Sequence, residues 1–223
     1  PLYEVTQMKG DGETHPALSP TDEFADYYRW DRGNFGLALK TPDMLPREYA
    51  RAALRRGLAY ETRLGVNPFK FGLIGSTDAH TGMSAIEEDR FAGKGQKDSR
   101  PELRKNPTGL GSAKGWDMGA AGIVAAWAPR NDRRSIYDAF QRKEVYASTG
   151  PRMAVRLFAG WNFNAADLDA RRFPASGYAR GVPMGGDLTG TGKAPTFLVE
   201  ALKDPDGGNL DRIQIVKGWI DAK

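Results

Sequence analysis

The chain has 223 residues, 40% of them hydrophobic, and a mean hydropathy of -0.55, which supplies a core and argues against a disordered chain. Its 32 basic and 28 acidic residues leave +4, dispersed as Arg55-Arg56, Arg133-Arg134 and Arg171-Arg172 among acids, so no basic stripe points to nucleic acid despite a pI near 9.3. The absence of Cys excludes disulfides, thiolate zinc sites and a cysteine nucleophile, two histidines are too few for a three-histidine zinc centre within the chain, and no apolar run reaches the roughly 18 residues of a membrane helix.

Leu2 to Gln7 is short, apolar and β-branched, which predicts a buried strand. Lys9 to Asn34, with Gly10, Gly12, Pro16, Pro20 and the aromatics Phe24, Tyr27, Tyr28 and Trp30, reads as a loop with a short helix after Ser19. A helix is predicted from about Met44 to Leu64. Asp43 is its expected cap, Pro46 sits in its first turn, and Ala50, Ala53, Leu54, Gly57, Leu58 and Leu64 share one face. Gly65 and Pro68 form the stop signal. Phe69 to Gly75 predicts the next strand, so strand, loop, helix and strand together read as a βαβ unit of a parallel sheet or barrel.

Met83 to Met118 is rich in Gly, Lys, Asp, Arg and Ser, the composition of a functional or mobile loop, and is a candidate lid. Ala120 to Trp127 predicts a strand, and Asn131 or Asp132 a cap for a short helix carrying Ile136, Tyr137 and Phe140 on one side. After Gly150-Pro151 the pattern turns to period two, at Met153, Val155 and Leu157, at Phe197, Val199 and Ala201, and at Ile213 and Ile215, with Asp204-Pro-Asp-Gly-Gly as a turn. A boundary is expected near Gly150, with residues 1–150 of α/β type and 151–223 antiparallel and β-rich. The chain opens at Pro1 in one strand-like run and stops at Lys223 soon after another, so a piece of a larger protein is expected.

Among chemical motifs, Asp78-x-His80 has the sharpest rationale. Residues i and i+2 of a continuing strand point to one face, so carboxylate and imidazole would converge at the C-terminal end of a parallel strand, where catalytic groups collect. Oxygen plus nitrogen suits Zn, Mn or Fe; the competing reading is a capping Asp and a surface His. Glu13-x-His15 has the same spacing in a Gly- and Pro-containing loop and stands level with a solvated polar loop. Glu4 within the first strand is either a group at a barrel mouth or a paired core carboxylate. Gly93-Lys94-Gly95 lacks a preceding strand and the full phosphate-loop pattern, and no G-x-S-x-G elbow is present.

The stretch GLAYETRLGVNPFKFGLIGSTDAHTG (57–82), with the opening YEVTQMKGDGETHP and the later EVYASTGPRMAVRLFAGW, resembles a bacterial family of unknown function related to the polymerase and histidinol phosphatase (PHP) superfamily of metal-dependent hydrolases. The resemblance implies an α/β fold, the closing part of a distorted PHP-like βα barrel, with a cluster of divalent transition metals at its mouth. Gly75-Ser76-Thr77-Asp78-Ala79-His80 is similar to the superfamily's closing element with one residue added, which implies ligand roles for Asp78 and His80. Glu4 resembles a strand Glu-Val element; Glu13 and His15 are assigned as ligands by their place in the family's ETHP segment, and Thr77 and Thr81 as site-lining residues. The superfamily's first H-x-H and middle ligands have no counterpart here, which implies a missing N-terminal part of the barrel as partner.

The expected activity is hydrolysis of a phosphoester or related ester of a small-molecule substrate by metal-activated water, with Asp78 and His80 as catalytic residues. The alternative is a non-catalytic fragment or a module that binds a ligand or partner, its surface supplied by the β-rich region.

Overall fold

The computed structural model describes residues 2–31, 38–108, 113–169, 171–190 and 192–221. Asn34 at the end of the first predicted loop, residues 109–112 of the polar stretch and both chain ends lie outside the described residues.

The predicted first strand forms as β1 (Leu2–Gln7), which buries Val5 and Thr6. Met8 and Lys9 turn it into a short antiparallel partner, β2 (Gly10–Asp11), with Gln7 opposite Gly10. Gly10 has φ +116, and a Cβ there would lie 2.6 Å from the carbonyl oxygen of Tyr28, so only glycine allows that loop to close over the turn. On its other side β1 pairs in parallel with β3 (Gly72–Gly75), in register from Leu2 with Gly72 to Glu4 with Ile74, before a bulge at the strand end. Between them runs α1 (Ala50–Leu64), so the expected βαβ unit is present.

The start of α1 differs from expectation. Met44 does not begin one long helix: Leu45–Arg47 is a separate 3-10 turn, and Tyr49 is extended. Asp43 is engaged by Thr41 and Arg47, and the first-turn amides of Ala50 and Arg51 bond the carbonyls of Gly12 and Glu13 at 2.9 and 3.0 Å. A distant loop thus satisfies donors that a side-chain cap would otherwise take. The end is as expected, with Gly65 at φ 73 donating to the Glu61 carbonyl. The buried residues are Ala50, Ala52 and Gly57, while Leu54 and Leu64 of the predicted apolar face are exposed.

The helix predicted after Ser19 is absent; successive turns close through Asp22 to Ser19, Ala25 to Asp22 and Tyr27 to Phe24. Among its described residues the polar stretch forms four 3-10 turns, and it adds Phe91, Ala113 and Met118 to a core cluster with Met8 and Ala120.

A second sheet pairs β4 (Ile123–Ala126) with β5 (Val145–Ser148), joined by α2 (Arg133–Arg142). Asp132 caps α2 as predicted, accepting from the Ser135 amide at 2.7 Å. The third sheet is antiparallel: β6 (Ala154–Gly160) lies between β7 (Gly181–Pro183) and β8 (Thr196–Leu202), and α3 (Phe173–Arg180) covers it through Phe158, Phe163, Phe173 and Leu198. The third period-two run does not become a strand. The Asp204 turn forms, but residues 208–221 have no regular structure, and Arg212 pairs with Glu23 and stacks over Phe24. Ile213 and Ile215 therefore lie exposed, without the ladder partner that alternation requires.

The architecture is mixed α/β with three small sheets, and no closed barrel forms among the described residues. No helix among them is long and apolar enough to cross a membrane.

Candidate functional site

The site lies where β1 and β3 end together. Beyond Gly75 the Ser76 amide bonds the Thr6 carbonyl at 3.1 Å and the Thr77 carbonyl accepts from Met8, which holds the loop against the end of β1. Asp78 then adopts φ 53, a left-handed conformation costly for a non-glycine residue. The strand therefore does not continue through Asp78 and His80, as the i, i+2 argument supposed. The two still meet, because the His80 amide is held by the Lys94 carbonyl at 2.7 Å and its Nε2 lies 3.0 Å from Asp78 Oδ1.

The other carboxylate oxygen is more heavily used. Asp78 Oδ2 accepts from Gln7 Nε2 at 2.9 Å, lies 2.7 Å from Lys94 Nζ, and pairs with Lys9 Nζ. The lysine side chains are 11% (Lys9) and 7% (Lys94) exposed, whereas that of His80 is 67% exposed, so a buried amine pair lies beneath an accessible imidazole. Burial, reinforced by the ammonium of Lys94, brings Lys9 down to about 8, and burial also lowers Lys94. Glu4 joins the rim: Ser76 Oγ donates to its Oε1, and Gln7 lies 3.5 Å from its Oε2.

Of the other predicted site residues, Thr77 is at the loop, its Oγ1 accepting from the Ala79 amide at 3.3 Å, and Thr81 makes a local turn with Met83. Glu13 and His15 are placed elsewhere. Glu13 pairs with Arg51 at 2.7 Å, in a groove of about 590 Å³ beside α1 that is also lined by Leu54, Leu58 and Phe69. His15 Nε2 lies 3.0 Å from Asp31 and its Nδ1 accepts from the Ala17 amide, so both ring nitrogens hold the loop that carries them. The structure thus joins Asp78, His80 and Glu4 and separates Glu13 and His15 from them, because the β1–β2 turn sends the ETHP segment toward α1.

Asp78 and His80 are suitable in kind for a divalent cation, but not sufficient in number. Among the described residues no group of three or more His, Cys, Asp or Glu residues could hold a metal ion, and Asp78 already carries two ammonium partners. They fit a share of a ligand set and not a whole one.

Gln7, Lys9 and Lys94 are the site residues that motif reasoning missed. Lys94 lies between Gly93 and Gly95, and that glycine pair marks a tight loop in the sequence without marking the lysine's destination; the structure gives Gly93 φ +79. Lys9 carried no signal beyond its place in a turn at a strand end.

No curated protein and no solved structure matches the chain. One family model, described as a protein of unknown function (DUF3604), matches residues 1–223, and the chain belongs to that family.

Proposed function

We propose that this chain contributes part of the active site of a metal-dependent hydrolase related to the PHP superfamily, acting on a phosphoester or related ester. The observation that carries the reading is the meeting of Asp78 and His80 at 3.0 Å, at the C-terminal end of the parallel β1–β3 pair. In this reading Asp78 and His80 hold a divalent Zn, Mn or Fe ion together with donors from a further polypeptide segment, the rest of a barrel that β1, α1 and β3 would help to close. When bound, such a cation makes water acidic enough to attack at neutral pH. The chain's own residues orient and charge the site: Asp78 fixes the imidazole of His80, and Gln7 positions both Asp78 and Glu4.

The test is metal content and hydrolysis of bis(p-nitrophenyl) phosphate by the natural polypeptide that contains this chain, prepared with zinc or manganese. Stoichiometric metal and turnover, both lost in Asp78→Ala and His80→Ala, support the reading. Unchanged metal and turnover in both variants overturn it. The second reading, a binding module without catalysis, is favoured by one observation: Asp78 is already neutralised by Lys9 and Lys94. A metal-free, inactive natural polypeptide would leave that alternative, or a truncated site, in place of the hydrolase reading.

A further inference from the structure

Asp78 carries one negative charge, yet two ammonium groups end on the same oxygen of it. One would neutralise it. The lysines arrive independently, Lys9 from the β1–β2 turn and Lys94 from the glycine-flanked loop at 93–95. Neither is a loose surface side chain. The Lys94 amide bonds Asp98 Oδ2 at 2.8 Å, its carbonyl accepts from His80, and its Nζ also reaches the Asp78 carbonyl. The Glu4 carboxylate favours the charged form of Lys9. Two independently anchored amines thus share one oxygen of Asp78, and Glu4 and, for Lys94, Asp98 also favour their charged forms, which keeps both as cations beside that oxygen.

The arrangement also conflicts with a metal at Asp78 unless something else enters. A divalent cation taking Oδ2 would face both ammonium groups across a single oxygen, and like charges so close repel strongly in a part-buried site. A tetrahedral oxyanion between them removes the conflict, with one oxygen toward the cation and others accepting the lysine hydrogen bonds.

We propose that Lys9 and Lys94 are the anion-binding half of this site, holding Asp78 while the site is empty and passing to the phosphate-type oxyanion of the substrate when Asp78 turns away. The substrate class is then an ester bearing a tetrahedral anionic group, not a neutral ester. That assignment of a substrate rests on the hydrolase reading; the anion site itself does not.

The experiment is calorimetric titration of the natural polypeptide that contains this chain with inorganic phosphate, without metal and again with zinc. In Asp78→Asn the amines lose their carboxylate, and metal-free phosphate affinity is expected to rise about tenfold, the worth of one or two charge-assisted hydrogen bonds. Asp187→Asn, which removes an exposed acid from Lys70, serves as the control for net charge and is expected to leave phosphate affinity unchanged. Adding Lys9→Gln or Lys94→Gln to Asp78→Asn should abolish the gain; two single additions are used so that one misfolded variant does not end the test. No gain in Asp78→Asn, an equal gain in Asp187→Asn, or a gain that survives both lysine substitutions overturns the proposal. Phosphate gain without any zinc binding upholds the anion site and refutes the metal reading. Zinc binding lost with Asp78→Ala but no phosphate gain refutes the anion site alone.

Discussion

Tyr178 of α3 donates a hydrogen bond to Oε1 of Glu144, a nearly buried carboxylate immediately before β5, whose other oxygen lies 3.1 Å from Arg142. The third sheet and the β4–β5 sheet are thereby joined through one charge. Burial, then the bond to Glu144, pushes the Tyr178 hydroxyl up to about 12. Tyr178→Phe keeps the edge-on ring contact with Phe158 at 4.9 Å and removes only the donor. We expect a loss of about 1–3 kcal/mol, the cost of under-satisfying a buried carboxylate, in urea unfolding followed by fluorescence. A wild-type midpoint would show that Arg142 alone suffices for Glu144.

Two helical glycines should respond unequally to alanine. At Gly177 a Cβ would lie 2.4 to 2.6 Å from the ring of Phe158, which is fully buried and cannot withdraw. Overpacking outweighs the gain in helix propensity, and Gly177→Ala is expected to cost about 1–3 kcal/mol. At Gly57 the nearest atoms belong to the Asn67 side chain, which can turn aside at the loss of its bond to the Phe69 amide. Gly57→Ala should therefore fall within about 1 kcal/mol of wild type by the same measurement.

Burial raises the Asp11 carboxyl from 3.8 to about 6. Between those values the folded chain keeps a proton that the unfolded chain has lost, so this group's contribution falls as pH rises through that window and is fully unfavourable above it. Asp11→Asn retains an acceptor for the Glu13 amide and removes the penalty. It should stabilise the chain by about 1–2 kcal/mol near pH 7 and leave it unchanged near pH 3. Unfolding curves at the two pH values decide this, and equal shifts at both would refute the titration as cause.

His15 serves its own loop, with Asp31 held below the usual carboxylate range chiefly by the His15 hydrogen bond. His15→Ala should lower the melting temperature and raise the Asp31 pKa while leaving zinc affinity as it is. On the proposed metal reading, His80→Ala in the natural polypeptide that contains this chain should weaken zinc binding at least about tenfold. Equilibrium dialysis with zinc separates the two, and a matched loss in both variants would return His15 to the metal site.

Local rules sufficed where an element's partners lie close in sequence or its pattern is self-contained. Asp132 with Ser135, Gly65 at the end of α1, and the Leu2–Gln7 run all behave as their neighbours dictate. They failed where a distant group intervened. Gly12 and Glu13 start α1, 38 residues from Arg51 in the case of the Glu13 side-chain bond, and no cap signal near Asp43 could reveal it. Alternation at Ile213 and Ile215 reported a strand's side-chain pattern, but a strand also needs a partner edge, and Arg212 is engaged with Glu23.

The amino-acid order alone determined that β1 and β3 would flank a helix and lie parallel, and that Asp78 and His80 would sit just past the second strand, because strand length, crossover length and stop signals are local properties. It could not determine the company those two residues keep. Lys9 and Lys94 are 85 positions apart, yet Lys94 Nζ lies 2.7 Å from Asp78 Oδ2 and Lys9 Nζ pairs with the same oxygen. Glu13 and His15, close in sequence to Lys9, turn the other way. Charge is felt over ångströms of space and not over positions in a chain, so only the folded arrangement decides which cations a carboxylate meets.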